Sequence, residues 1–182
     1  MSLVFLALGA NLPSSAGLPE ATLAVAAERL SALSRVTARS SLYSTAPVGY
    51  RDQPRFVNAV AALEIPLSPR NLLDALLAIE LEFGRDRAAS LSNGPRTLDL
   101  DILFYGDLVL AHAGLEIPHP RLAQRAFVLV PLNEIAPDLR DPRSGKTVTQ
   151  LLDACLGGTG ARTDRDAVAK IESERWTAKI NQ

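Results

Sequence analysis

Leu98-Asp99-Leu100-Asp101-Ile102 sets two carboxylates two positions apart inside an apolar run. On a strand, whose side chains alternate, Leu98, Leu100 and Ile102 face one side and both aspartates the other. Same-face neighbours lie roughly 6.5–7 Å apart, so two ionised carboxylates there repel unless water or a cation intervenes. Hard oxygen donors at this spacing suit Mg²⁺, which is held by one or two carboxylates together with substrate phosphates. A solvated strand face is the competing reading. Arg85, Arg87 and Arg96 precede the pair, and Arg121 and Arg125 follow it. Guanidinium forks match phosphate oxygens and keep their charge. Convergence of these side chains on the aspartates describes a site for metal-bound polyphosphate. The alternative is that they pair with Asp86 or Glu116.

Other residues are less decisive. On a helical wheel Glu80 falls among Leu73, Leu76 and Leu77, at the centre of an apolar stripe. A carboxylate there is costly unless bonded or paired. Either it ends the core at a site, or it satisfies buried backbone groups. His119 is held between Pro118 and Pro120, which restrict its direction; a surface histidine in a proline turn is the plainer reading. Asn58 shares a strand face with Phe56 and Val60, and an amide beside an aromatic suits a planar heterocycle, or a loop backbone. Phe127 offers a second aromatic, or simply core packing. His112 has no neighbour that argues for function, and Cys155 reads as helix packing. Ser144-Gly145-Lys146-Thr147 ends like a phosphate loop, but the required first glycine falls at Arg140. Gly157-Gly158-Thr159-Gly160 lacks dinucleotide-fingerprint spacing.

The elements that position these residues follow from pattern. Leu3 to Leu8 is a short, continuously apolar strand closed by Gly9-Ala10-Asn11. Leu23, Ala27, Leu30 and Leu33 recur at helical spacing, and Val36–Tyr43 reads as a second strand. Ser44–Arg55 is a long loop, and Phe56–Ile65 a third strand. Ser68-Pro69 begins a helix on Leu72, Leu73, Leu76, Leu77 and Phe83, which Gly84 ends. After the loop Arg85–Arg96, Thr97–Tyr105 is a strand, with Gly106-Asp107 predicted as a hairpin turn into Leu108-Val109-Leu110. The β-α-β-β-α-β order predicts an α+β, ferredoxin-like antiparallel sheet with helices on one face and additional C-terminal elements.

Composition bounds the rest. The chain has 182 residues, 47% hydrophobic, enough for one domain with a sizeable core. A net charge of −1 supplies no global field toward nucleic acid or an anionic membrane. The one cysteine excludes an internal disulfide and a multi-cysteine metal site. The apolar start lacks a basic leader and is too short for a signal peptide, and no run approaches the roughly 20 residues of a membrane helix. A cytoplasmic, monomeric protein is expected.

Taken together the segments resemble the 6-hydroxymethyl-7,8-dihydropterin pyrophosphokinase family of folate biosynthesis. The resemblance runs through Leu8-Gly9-Ala10-Asn11-Leu12, Tyr43-Ser44-Thr45-Ala46-Pro47-Val48-Gly49, Asp52-Gln53-Pro54 and Phe56-Val57-Asn58-Ala59. It continues through Ile79-Glu80, Gly84-Arg85 and Gly94-Pro95-Arg96-Thr97-Leu98-Asp99-Leu100-Asp101-Ile102. It closes with Ile117-Pro118-His119-Pro120-Arg121, Arg125-Ala126-Phe127-Val128-Leu129 and Pro131-Leu132. It implies transfer of pyrophosphate from ATP to the hydroxymethyl oxygen of the pterin, with release of AMP. By similarity Asp99 and Asp101 hold two Mg²⁺ ions and act in catalysis with Arg85 and Arg96. Glu80, Arg85, Arg87, Arg96, His119 and Arg125 match ATP contacts. Thr45, Pro47, Val48, Phe56, Asn58, Asp99 and Phe127 match the pterin pocket, where aromatic faces sandwich the ring. Ser44–Arg55 and Arg85–Arg96, with Gly49 and Gly94, are the candidate lids. Ser92-Asn93 stands where some relatives carry tryptophan. Residues 1–158 are the expected pyrophosphokinase domain, and 159–182 a peripheral segment of it. Two rival readings are a non-catalytic binding domain on the same sheet and a metal-dependent phosphohydrolase.

Overall fold

The computed structural model describes residues 1–85, 94–112, 114–157 and 168–177. Strand β1 (Ser2–Ala10) leads through helix α1 (Pro19–Leu33) to β2 (Arg35–Arg39) and β3 (Leu42–Thr45). Strand β4 (Phe56–Ile65), helix α2 (Pro69–Glu82) and β5 (Asp99–Tyr105) follow. Then come β6 (Leu110–His112), β7 (Leu115–Ile117), a short 3₁₀ turn (Leu122–Gln124), α3 (Ala126–Ile135) and α4 (Val148–Gly157). Strand β8 (Val168–Ile171) and one helical turn, α5 (Glu174–Thr177), complete the described chain.

The main sheet runs β5-β1-β4-β3-β8, antiparallel throughout, and β2 pairs with the far half of β4. Each long crossover, α1 and α2, therefore skips a strand, which is the ferredoxin-like arrangement predicted from element order. Strand β1 is continuously apolar because both its faces are covered. Val4, Leu6, Leu8 and Ala10 pack against α1 and α2, whereas Phe5 packs with α3 and α4. Helices thus lie on both faces, not one. Full burial of Leu6 and Leu8 contributes about 1.5–3 kcal/mol each. Helix α2 starts as its sequence dictates: the Ser68 hydroxyl accepts from the Asn71 N–H at 3.2 Å, with Pro69 in the first turn. It ends at Gly84, whose φ of +79° favours glycine.

Three further expectations change. The predicted single strand Val36–Tyr43 is two, because pairing with β4 slips by one residue around Ser40–Ser41. There the Ser40 hydroxyl accepts the Val60 N–H at 3.0 Å, substituting a side chain for the lost ladder partner. Leu108–Leu110 does not return along β5. Gly106 turns the chain at φ +51°, and β6 instead pairs with β7 in a separate two-stranded ribbon. The segment expected to be peripheral joins the core: β8 pairs with β3, and Trp176 is 5% exposed with its indole N–H on the Ser40 carbonyl at 2.7 Å. Residues 159–167 and 178–182 of that segment lie outside the described residues.

Candidate active site

Strand β5 opens the site as its alternation requires. Leu98, Leu100 and Ile102 are buried beneath the sheet, while Asp99 and Asp101 line a cavity of about 280 Å³ on the opposite face. In register beside Asp99 stands Gly9 on β1, then Asn58 on β4; beside Asp101 stands Ala7. Small residues on β1 leave the floor open between the carboxylates and Asn58.

The arginines converge as one of the two sequence readings anticipated. Arg96 reaches Asp99 Oδ2 at 2.8 Å, Arg85 reaches Asp99 Oδ1 at 3.3 Å, and Arg125 reaches Asp101 Oδ2 at 3.5 Å. Glu116, the alternative partner, is taken by Arg143 at 2.9 Å. With Arg121 also on the cavity wall, guanidiniums outnumber carboxylates and favour a polyanion. Each of two arginines also covers an aromatic ring. Arg96 lies 5.5 Å from the centre of Phe56 and Arg125 lies 5.6 Å from that of Phe127. These contacts join the charged end of the cavity to an uncharged one. Thr45, Val48, Phe56, Asn58 and Phe127 line that second end, where the Asn58 amide donates to the Thr45 hydroxyl at 2.7 Å.

His119 Nε2 is 3.8 Å from Asp101 Oδ2, and its Nδ1 accepts from the Arg121 N–H at 3.1 Å. Burial, helped by Arg125 and Arg121 and opposed by Asp101, pushes its pKa below the usual histidine value. The lowered pKa favours the neutral ring, and Nε2 also lies 3.4 Å from Arg125 Nη1. Burial also lowers the Arg125 pKa, against the opposing charge of Asp101.

Not every expected residue faces the cavity. Glu80 is 1% exposed, and its Oε1 accepts the Leu100 N–H at 2.8 Å, so it anchors β5 from behind instead of lining the nucleotide side. Pro47 is flanked by the lining residues Ala46 and Val48 without lining the cavity itself. Arg85 pairs with Asp99 and is not among the residues that line the cavity. Arg87 and Ser92-Asn93 lie outside the described residues. Sequence reasoning missed Gly9, Gln124 and Val168, which line the cavity. It also gave Asn11 no role. That buried amide donates to Gln53 Oε1 and the Pro54 carbonyl, both at 3.0 Å, and accepts the Arg96 N–H at 2.7 Å. It ties the loop after β3 to the segment before β5. An asparagine ending an apolar strand reads only as a turn; nothing local announces partners 42 and 85 positions away.

The two carboxylates are a donor set that Mg²⁺ accepts when phosphate supplies the remaining ligands. No group of three or more His, Cys, Asp or Glu side chains placed to hold a metal ion occurs among the described residues.

Residues 5–137 match the sequence model of the 7,8-dihydro-6-hydroxymethylpterin-pyrophosphokinase (HPPK) family. The chain belongs to that family. A 2-amino-4-hydroxy-6-hydroxymethyldihydropteridine pyrophosphokinase of Pseudomonas aeruginosa is 52% identical over 152 residues, covering 84% of this chain and 91% of that one. The Methylorubrum extorquens protein of the same description is 40% identical over 174 residues, covering 94% of this chain and 100% of its own. Among solved structures, the wild-type Plasmodium falciparum HPPK-DHPS with STZ-DHP superposes with a TM-score of 0.71 at 14% identity. That match covers 93% of this chain and 46% of the Plasmodium one, so the chain spans about half of it. The likeness is one of fold. The family match contains every site residue expected from the sequence and stops short of β8 and Trp176.

Proposed function

We propose that this pyrophosphokinase transfers the pyrophosphoryl group of ATP to the hydroxymethyl oxygen of 6-hydroxymethyl-7,8-dihydropterin, in folate biosynthesis. The observation that carries the reading is one continuous cavity. An aromatic end bearing a buried amide adjoins an end where guanidiniums surround two carboxylates. Phe56 and Phe127 offer faces to a flat heteroring, and Asn58, held by Thr45, reads its polar edge. Arg96 and Arg125 reach from those rings to the aspartates, and so orient phosphate toward the ring's substituent. The hydroxymethyl oxygen forms a bond to the β-phosphorus, the bond from that phosphorus to the α–β bridging oxygen breaks, and AMP leaves with that oxygen. The hydroxyl proton passes to solvent. Asp99 and Asp101 would hold two Mg²⁺ ions, which supply charge neutralisation to the phosphates and polarise the hydroxyl. His119, beside Asp101 and Arg125 at the charged end, is placed to contact the nucleotide. Catalysis on this reading is positioning and charge stabilisation, with little covalent work for the protein. A cytoplasmic, monomeric enzyme is part of the same proposal.

Incubation with Mg²⁺, ATP and the pterin, followed by nucleotide separation, tests it. Pterin-dependent AMP matched by pyrophosphorylated pterin is expected, with turnover lost in Asp101→Ala. ADP as product would overturn attack at the β-phosphorus. Phosphate release without a pterin requirement would favour a phosphohydrolase, and no turnover by folded protein a binding domain.

A further inference from the structure

We infer that the C-terminal strand β8 completes the pterin end of the cavity, with Val168 as a specificity-determining wall residue. The inference rests on the pterin reading and extends it to a segment beyond the family match, which stops at residue 137. Val168 lines the cavity and stands in register with Thr45 on β3. Thr45 in turn is opposite Phe56 on β4, and its hydroxyl holds the Asn58 amide at 2.7 Å. Val168 therefore extends the row of ring-facing side chains by one strand. In the order β5-β1-β4-β3-β8 it lies four strands from the aspartates, roughly 19 Å at the usual strand spacing. That separation places it at the ring end, away from the phosphate end. Its branched apolar side chain offers no hydrogen bond. Its contribution is shape: it excludes water and limits what the ring can carry on that edge.

The wall is anchored outside the cavity. The Trp176 indole N–H donates to the Ser40 carbonyl at 2.7 Å, and the Arg39 guanidinium lies 4.7 Å from the indole centre. Lys170 reaches Glu134 on α3 at 3.7 Å. Strand β8 is thus pinned to β3, to α3 and to the core, so Val168 is held in place before substrate arrives.

Val168→Phe, Val168→Ala and Ala169→Leu in the full chain test this, since Ala169 is exposed and alternates to the other face of the strand. Val168→Phe is expected to raise KM for the pterin about tenfold or more, with kcat and KM for ATP within about twofold. Val168→Ala should turn over a ring-methylated dihydropterin about tenfold better, relative to the parent pterin, than wild type does. Ala169→Leu should change neither. Trp176 is the only tryptophan in the chain, so unshifted emission reports that β8 remains docked. If Val168→Phe displaces the strand, Val168→Ala, which only removes bulk, decides. Unchanged pterin KM and analogue preference in docked variants would overturn the inference, as would equal rises in KM for both substrates. Absence of pterin-dependent AMP from wild type would instead overturn the functional reading on which it rests.

Discussion

Arg96 combines contacts that a lysine cannot reproduce together. Its Nη1 bonds Asp99 at 2.8 Å, its Nε donates to the Gly94 carbonyl at 3.1 Å, and its plane lies over Phe56. Lysine keeps the charge and loses the fork and the stacking. Arg96→Lys is therefore expected to lower kcat/KM by about 10²-fold, the scale of one misplaced electrostatic contact. Its melting temperature should move little, and steady-state kinetics beside a thermal melt separates the two. At this scale the sequence was informative where chemistry follows from alternation. Asp99 and Asp101 had to share a face once β5 was a strand. It was uninformative where the partner is distant. Glu80 was visibly a carboxylate in an apolar stripe, yet only the tertiary structure supplies the Leu100 N–H that it accepts.

At the scale of elements, the site depends on strands that approach closely. Gly9 on β1 stands between Asn58 and Asp99, and a Cβ there would lie 2.9 Å from Asn58 Oδ1. Asn58 is 8% exposed and bonded to Thr45, so it has little room to yield. Gly9→Ala is expected to raise KM for the pterin about tenfold while leaving KM for ATP near wild type. Removal of a flexible residue from a strand recovers roughly 0.5–1 kcal/mol, which opposes the strain and keeps the melting temperature close to wild type. Loss of both substrates' affinity together would argue against this account. Strands β1 and β4 and helix α2 were legible because their apolar periods and Ser68-Pro69 start are local signals. The break between β2 and β3 was not, since it comes from a register slip against β4 that Ser40 repairs.

Across the whole molecule, Glu134 joins three elements. From α3 it accepts the Ser41 N–H at 2.8 Å, the Ser41 hydroxyl at 2.7 Å and the Tyr43 hydroxyl at 2.9 Å, with Lys170 of β8 nearby at 3.7 Å. Burial pushes its pKa up, but these hydrogen bonds and Lys170 outweigh it, and the carboxyl lies below its ordinary value of 4.5. Burial, and then the bond to Glu134, raises Tyr43 to about 12, so its hydroxyl remains a donor at neutral pH. A depressed carboxylate pKa stabilises the fold above the unfolded value, and the contribution is lost as pH falls through the folded one. Glu134→Gln is therefore expected to unfold earlier in denaturant at pH 7, by about 1 kcal/mol after solvent screening. The difference from wild type should shrink below pH 4.5. A gap of constant size down to acid pH would contradict the assignment. The sequence by itself determined the βαββαβ order, the facing of the two aspartates and the family, because periodicity, turn chemistry and motif spacing are carried by neighbouring residues. Only the tertiary structure decided that helices cover both faces, that Asn11 ties two loops, and that β8 and Trp176 belong to the core. Those outcomes rest on hydrogen bonds and packing between residues more than forty positions apart, for which no local signal exists.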